Sequence, residues 1–586
     1  MSGLFPAMPR LLIAASLLAL LGACATTPEP RGPDTAERQA IKPEAEPPAP
    51  PERAIPEDAL YPLLVAEFAL RRQAYDVALE QYMTLAETLR DRGVSAHATH
   101  IAQYLQREPE ALAAALLWVE LEPGNLEANN TLATLLARDG RTPEALDHLA
   151  VIARGGKKAN FPIVLNRFRQ LDRAEQQQLV AGLESLSDEF PGSASLLLTR
   201  ALAYDELEDN ARALDTLAIL FEQSPYQYQA LLLEAKLLLE QEDEAPFARI
   251  ESALEAEPDN NKLRLQYARL LTRSDIAAAR GQFEILSARA PRDGDLLFSL
   301  ALINHEAGDD LTAKAYLRQL LDLGQRTDEA HYYLGRIAEK DGQLQEAVES
   351  YMAVTEPDSP DFFSAKGRIG RILLDGGQPE RARALFNDLR RDHPDADERL
   401  YALEAELLMS AGRASESMAL LNRALSELPE STALRYSRSI LGEKQGNLAL
   451  MESDLRTILE NDPNNATALN ALGYSLANRT QRYQEAHDLI ARALELEPEE
   501  PAILDSMGWV LYRLGRYDEA LPYLERAYRA FPDPEVAAHL GEVLWVSGNA
   551  ERAREVWRDA LEKAPSHEIL VSTIQRYDVS MLQSAP

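Results

Sequence analysis

The stretch "PAILDSMGWVLYRLGRYDEALPYLERAYRAFP", residues 501–532, contains two amphipathic helical segments separated by a turn. Gly515 lies between the segments, where glycine permits the backbone conformation that a tight turn requires. Ala520 and Ala527 place small side chains on the second segment, which lets two helices approach closely. Pro532 then stops the second helix, because proline lacks the N–H that a helix interior needs. The stretch predicts a helix–turn–helix unit.

The same pattern recurs along the chain at intervals of about 34 residues. Helical segments are closed by prolines at Pro191, Pro225, Pro258, Pro291, Pro357, Pro394, Pro429, Pro463, Pro498, Pro532 and Pro565. A pair ending in glycine recurs in the first segment of several units, at Leu334-Gly335, Leu472-Gly473, Met507-Gly508 and Leu540-Gly541. This period and these small residues resemble the tetratricopeptide repeat. The resemblance implies an all-α, superhelical solenoid of about fifteen helix–turn–helix units.

The repeat pattern predicts how the folded part of the chain is organised. We expect degenerate N-terminal units over residues 59–191, of which 157–190 match the pattern least. A more regular array follows over residues 192–565, and residues 566–586 supply a cap helix and a tail. One helix pair cannot cover its own apolar face, so each unit is expected to bury that face on its neighbours.

The amino end contains the only cysteine of the chain, Cys24. An apolar run at residues 11–21 is too short to span a bilayer and fits the core of a signal peptide. It ends in "LGAC", residues 21–24, which resembles the lipobox of bacterial lipoproteins. The resemblance implies a signal peptide over residues 1–23 and acylation of Cys24. The alternative is an ordinary secretory signal with an incidental cysteine.

The segment after the lipobox is rich in proline, alanine and glutamate. Residues 24–58 show no apolar periodicity, so they are expected to form a disordered tether. Fully extended, such a segment would reach roughly 100 Å. Ala25 follows the cysteine at a position where, in the lipoprotein family, an aspartate would indicate retention in the inner membrane. We therefore expect a lipid-anchored protein at the periplasmic face of an outer membrane.

Composition and charge limit the classes of molecule that the chain is expected to bind. The chain has 586 residues, a formal net charge of −34 and a pI near 4.7. Nucleic acid is a poor partner for such a chain, because a phosphate backbone requires a basic surface. Basic proteins or peptides are the partners that an acidic field attracts.

The sequence offers little for catalysis, metal binding or cofactor binding. Its glycines fall at repeat turns and do not form a phosphate-binding loop, and no G-x-S-x-G motif is present. His97 and His100 in "HATH" share a helix face, but a zinc site usually needs three or four ligands. We predict a protein that is not an enzyme and has neither a metal site nor a cofactor.

In the tetratricopeptide fold the first helix of each unit faces inward, and residues four apart share a face. On that face the last units carry polar and aromatic side chains suited to binding a protein partner. The candidates are Asn470, Tyr474, Asn478, Asp505, Trp509, Arg513, His539 and Trp545. The competing interpretation is that Trp509 and Trp545 pack between units.

The whole layout is similar to the tetratricopeptide lipoproteins of Gram-negative outer membranes. Within that group it resembles adaptor lipoproteins that bind a periplasmic carboxyl-terminal processing protease, on the strength of the layout and of "NALGYSLANRTQRYQEA" with the stretch at 501–532. The resemblance implies a non-catalytic scaffold that brings the protease to its substrates, typically cell-wall hydrolases. Two alternatives remain open. One is a scaffold for polysaccharide export, pilus or outer-membrane protein assembly, and the other is a peptidoglycan-active enzyme.

Overall fold

The computed structural model describes residues 56–583, and within them the chain is helical and forms no strand. The helices follow one another as helix–turn–helix pairs, which confirms the predicted all-α repeat fold. The chain divides into two compact parts, one ending at Asn166 and one beginning at Arg167. We call residues 56–166 the N-terminal body and residues 167–583 the C-terminal body.

The N-terminal body contains three helix pairs followed by a short 3₁₀ helix at Phe161–Leu165. Its helices are α1 (Glu57–Arg71), α2 (Tyr75–Leu89), α3 (Arg92–Tyr104), α4 (Glu108–Leu121), α5 (Leu126–Asp139) and α6 (Thr142–Arg154).

The C-terminal body begins with a 3₁₀ helix at Phe168–Gln170, and a further one lies at Pro394–Ala396. Its α-helices are α7 (Arg173–Glu189), α8 (Ala194–Glu206), α9 (Asn210–Gln223), α10 (Tyr228–Glu240), α11 (Ala248–Ala256), α12 (Asn261–Leu271), α13 (Ile276–Arg289), α14 (Gly294–Glu306), α15 (Asp310–Leu323), α16 (Thr327–Lys340), α17 (Leu344–Met352), α18 (Phe362–Asp375), α19 (Pro379–Asp392), α20 (Asp397–Ser410), α21 (Ala414–Glu427), α22 (Thr432–Lys444), α23 (Leu448–Asn461), α24 (Ala466–Arg479), α25 (Tyr483–Leu496), α26 (Pro501–Arg513), α27 (Tyr517–Ala530), α28 (Pro534–Val546), α29 (Ala550–Lys563), α30 (Glu568–Tyr577) and α31 (Ser580–Gln583).

The helices pair as α8 with α9 and so on to α28 with α29. In chain order α7 follows two short 3₁₀ helices, at the point where the first α-helix of a regular unit is expected. This is the stretch, residues 157–190, that matches the repeat pattern least. Counted with it, the described residues form about fifteen units, as the sequence predicts.

Successive units of the C-terminal body also contact one another through their first helices. Such contacts join α18 to α20, α24 to α26, α26 to α28 and α28 to α30. Because first helices approach one another this closely, they line the inner side of the curved array. We call this side the inner face.

The glycines that recur in first helices mark the tightest approach within a unit. A Cβ placed on Gly508 would lie 2.5 Å from Cγ of Leu524 and 3.1 Å from the backbone oxygen of Ala520. A Cβ on Gly473 would lie 2.6 Å from Cγ1 of Ile490. A side chain at these positions would therefore push the two helices of the unit apart.

One unit departs from the regular period and is held by two buried charged side chains. Helix α17 ends early, and Nζ of Lys366 donates hydrogen bonds to the backbone carbonyls of Tyr351 and Val354 at 3.2 and 2.6 Å. The carboxylate of Asp328 accepts from the backbone N–H groups of Thr355 and Glu356. Side chains here satisfy the polar backbone groups of an irregular turn, which would otherwise be costly to bury.

The first and last helices of the described structure can be compared with the predicted domain boundaries. Helix α1 begins at Glu57, two residues before the predicted start of the repeats, and α30 is the helix expected at the carboxyl end. The predicted signal peptide, Cys24 and nearly all of the predicted tether lie outside the described residues. No helix between residues 56 and 583 is long and apolar enough to cross a membrane.

We predict that Gly508→Ala lowers the free energy of unfolding by about 1–3 kcal/mol, because the new methyl group would overlap Leu524 and the backbone of Ala520. The matched control is Gly281→Ala in α13, where a Cβ meets no atom within 4 Å. That change should stabilise the protein by up to about 1 kcal/mol, since alanine favours a helix interior. Urea unfolding followed by circular dichroism measures both. Equal effects of the two substitutions would contradict the close-approach role.

Candidate functional site

The inner face of the last units is built from α24, α26 and α28, which carry the residues predicted to bind a partner. Residues four apart on each helix point the same way, so successive helices place their side chains side by side. Four of these side chains meet across the three helices, and Glu535 of α28, which was not among the predicted residues, joins them. This inner cluster consists of Tyr474, Asp505, Trp509, Glu535 and His539.

A buried pair of opposite charge lies at the centre of the inner cluster. Nδ1 of His539 lies 2.9 Å from one carboxylate oxygen of Asp505 and 3.1 Å from the other. The two residues are only 4% and 7% exposed. Burial disfavours a charged imidazole and would lower the pKa of His539, but the nearby carboxylates, chiefly that of Asp505, together raise this pKa above its ordinary value. Glu535 and Glu542 add to this effect.

The rings of Trp509 and Tyr474 pack against this pair. The indole of Trp509 stacks on the imidazole of His539 with ring centroids 4.1 Å apart, and the Tyr474 ring lies 6.1 Å from it. The hydroxyl of Tyr474 donates a hydrogen bond of 2.6 Å to Glu535. Because Tyr474 is on α24 and Glu535 on α28, this bond spans a complete repeat unit. Three units are thus joined by side chains on the inner face.

The other candidates on α24 and α26 lie at the margins of the cluster. Arg513 donates to the hydroxyl of Tyr483 at 2.6 Å, and its guanidinium lies 4.8 Å above that ring. Asn470 and Asn478 are half-buried. Oδ1 of Asn470 and Nε1 of Trp509 are buried and make no hydrogen bond within the described structure. One acceptor and one donor on this face therefore have no hydrogen-bond partner among residues 56–583.

Trp545 belongs to a different cluster from the other candidates. It is half-buried and stacks on Trp557 with centroids 5.8 Å apart, while Tyr577 lies 6.2 Å from it. Trp509 contacts His539 of the following unit, so both tryptophans pack between elements of the array. Trp545 joins the last complete unit to the cap helix α30, and Trp509 is the tryptophan of the inner cluster.

Sequence reasoning missed the carboxylates of α28. Glu542 is 3% exposed and accepts hydrogen bonds from the hydroxyls of Tyr512 and Tyr577 and from the guanidinium of Arg576, at 2.9, 3.1 and 2.7 Å. Glu535 precedes His539 by four residues and Glu542 follows it by three. Both therefore lie on the helix face of His539, and this spacing would have identified them.

The histidines of "HATH" lie on α3 of the N-terminal body. The ring of His97 stacks on Tyr82 and that of His100 meets Trp118 edge to face, each at 5.5 Å between centroids. No group of three or more possible metal-ligating side chains occurs among residues 56–583.

We predict that His539 makes the stability of the C-terminal units depend on pH. Its pKa is higher in the folded protein than the ordinary value near 6.5, so protonation stabilises the fold. This stabilisation is complete below about pH 6.5 and is lost as the pH rises through the folded pKa. Urea unfolding of the wild type and His539→Gln, followed by tryptophan fluorescence, should give a difference that shrinks as the pH rises. His487→Gln, on α25 and outside the cluster, should leave the wild-type profile unchanged. A difference that stays constant or grows with pH would contradict the charged pair.

Comparison with known proteins agrees with this architecture. The family profile described as tetratricopeptide repeat matches residues 269–313, 311–361, 368–432, 443–501 and 506–568. A TPR repeat-containing protein of Pseudomonas aeruginosa, PA4667, is 37% identical over 534 residues, which cover 89% of this chain and 88% of that protein. The TPR repeat-containing protein YvcD of Bacillus subtilis is 22% identical over 295 residues, 49% of this chain and 58% of that protein.

Among solved structures, yeast Tom70 aligns with 90% of this chain and 96% of its own, at 14% identity and a TM-score of 0.30. The helix pairs, the glycines between them and the extended similarity to the Pseudomonas protein agree. Tetratricopeptide repeats indicate a scaffold for protein–protein interaction. The chain therefore belongs to the tetratricopeptide-repeat family.

Proposed function

We propose that this chain is a non-catalytic adaptor, held by a lipid on Cys24 at the periplasmic face of an outer membrane. Its inner face would gather a periplasmic carboxyl-terminal processing protease and cell-wall hydrolase substrates. Catalysis would then gain from proximity and effective concentration, without reacting groups on this chain.

The inner face of the last units carries the binding part of the proposal. Oδ1 of Asn470 is a hydrogen-bond acceptor and Nε1 of Trp509 is a donor, and neither has a partner in the part of the chain that the structure describes. A peptide group offers one N–H and one C=O, which match this acceptor and this donor. Both atoms are buried, so a partner would reach them only after neighbouring side chains move. Arg513, half-buried at the margin of the cluster, adds a charged group 6.0 Å from the centre of the Trp509 ring.

The amino end supports the anchoring part. Cys24 follows an apolar run and the lipobox-like "LGA", and it is the only cysteine in 586 residues. A proline-rich segment separates it from α1, so an anchored chain would hold its repeats well clear of the lipid surface. The net charge of −34 favours basic clients over nucleic acid or anionic lipid.

We predict that residues 25–586, used as bait in periplasmic extract, capture a carboxyl-terminal processing protease together with cell-wall hydrolases. Mass spectrometry identifies the bound proteins. Binding to basic hydrolases should weaken as salt rises, because surface charges are screened. Capture of outer-membrane barrels or export subunits instead would overturn the adaptor role and favour an assembly scaffold. Cleavage of peptidoglycan by the purified chain alone would favour the enzyme alternative.

Measuring the affinity of the chain for its purified client tests whether the inner face binds that client. Trp509→Phe keeps a ring to stack on His539 but removes the Nε1 donor, so we expect an affinity loss of about three- to ten-fold. Trp545→Phe is the matched control, because it makes the same change on the next first helix, outside the inner cluster. Equal losses in the two variants would place the binding surface elsewhere.

Acylation of Cys24 and attachment to the outer membrane can be tested separately from binding. We predict that growth with labelled palmitate labels the wild-type protein, which then fractionates with the outer membrane. Cys24→Ser should abolish the label and release the protein into the soluble periplasmic fraction, because no other cysteine can take its place. Ser2→Ala, within the predicted signal peptide, should change neither result. A labelled Cys24→Ser protein would contradict acylation at this position.

A further inference from the structure

The first helix of the N-terminal body leaves an apolar face uncovered. Leu60, Tyr61, Leu64 and Phe68 are 51%, 75%, 48% and 57% exposed, and we call these four side chains the α1 stripe. Small residues on the opposite side of α1, such as Ala66, are buried within the body. Terminal units of repeat proteins ordinarily carry a polar outer face that keeps the array soluble. An apolar face left exposed on the first described helix therefore calls for an occupant.

Charged residues bracket the α1 stripe with opposite signs. Glu57 and Asp58 lie in the first turn of α1, and Arg71 lies in the last. Residues 57, 60, 64, 68 and 71 are spaced three, four, four and three residues apart, so they share one face of α1 and lie symmetrically about Leu64. Within the described residues, neither Glu57 nor Arg71 takes part in an ion pair. The helix thus has a negative end, an apolar middle and a positive end.

We propose that α1 is a self-association surface, at which two copies of this chain pair antiparallel about a two-fold axis at Leu64. In this arrangement Leu64 faces Leu64 of the second copy, and Leu60 faces Phe68. Glu57 of each copy faces Arg71 of the other. A parallel pairing would place like charges together, so the charges select the antiparallel one. The proposal rests on the described residues alone and does not depend on the proposed function.

Two other occupants fit the helix less well. The segment before α1, residues 25–55, offers only Ile41 and Ile55 as large apolar side chains, too few to cover the α1 stripe. Helices that lie on membranes are usually rich in lysine and arginine. Helix α1 instead exposes Glu57, Asp58 and Glu67, which anionic lipid would repel.

The area of the α1 stripe gives an estimate of the affinity between two copies of the chain. The α1 stripe exposes on the order of 400 Å² per copy, since a fully exposed aromatic side chain offers about 200 Å². A pair would bury about 1,000 Å² in total with the flanking charges, which is the lower limit for a specific interface. We therefore expect a weak dimer, with a dissociation constant on the order of 10 μM.

Sedimentation velocity of residues 25–586 between about 1 and 200 μM tests the proposal, since the expected dimer forms within this range. Leu64→Glu should leave a monomer, because it places two carboxylates together at the axis. Glu57→Arg and Arg71→Glu should each weaken the dimer about ten-fold or more, and the double variant should restore it. Ile219→Glu, at an exposed apolar residue in the C-terminal body, should leave the dimer intact. Circular dichroism checks that each variant is folded.

Cysteine cross-linking tests the register separately. Residues 25–586 contain no cysteine, so an introduced one is unique. Under mild oxidation Leu64→Cys should give a disulfide-linked dimer, whereas Tyr61→Cys should not, because residue 61 faces residue 67 of the second copy. The proposal is overturned by a wild type that stays monomeric throughout, by a dimer that survives Leu64→Glu, or by equal cross-linking at both positions. Binding of the monomer to phosphatidylglycerol vesicles through the α1 stripe would also overturn it, in favour of a membrane occupant.

Discussion

The rest of the structure depends on the close approach of the two helices in each unit. At Gly473 and Gly508 the absent side chain lets the second helix lie against the first, where even a methyl group would overlap its neighbour. A close pair presents one continuous apolar face, which the next unit covers. Because only neighbouring units bury one another, the array grows without a central core, and its inner face stays available for other side chains.

The inner cluster also joins repeat units that are not adjacent to one another. A simple repeat array is stabilised by contacts between adjacent units, but Tyr474 bonds to Glu535 across a whole intervening unit. The hydrogen-bonded pair of Asp505 and His539 belongs to the same cluster, and the ring of Trp509 stacks on the imidazole of His539. A partner that engaged Trp509 would therefore act on three units together.

The two bodies differ in how much apolar surface they leave exposed, at the last helices of one and at the first helix of the other. In the C-terminal body the last complete unit is covered by α30, whose Leu570 and Ile574 are buried. In the N-terminal body α1 leaves its apolar stripe open, with charges of opposite sign at its ends. A repeat protein can thus use its inner face for one purpose and its terminal helix for another, since the two surfaces share no side chains.

The sequence by itself determined the helical repeat, its period and the glycines and alanines at helix contacts, because spacing along a helix fixes which side chains share a face. It also selected Asp505, Trp509 and His539. Only the tertiary structure decided that these three are buried together, that Trp545 packs apart from them, and that Glu535 reaches Tyr474. It likewise decided that Lys366 holds an irregular turn. Such contacts join residues far apart in the chain, and their formation depends on how successive units rotate against one another, which the local pattern does not specify.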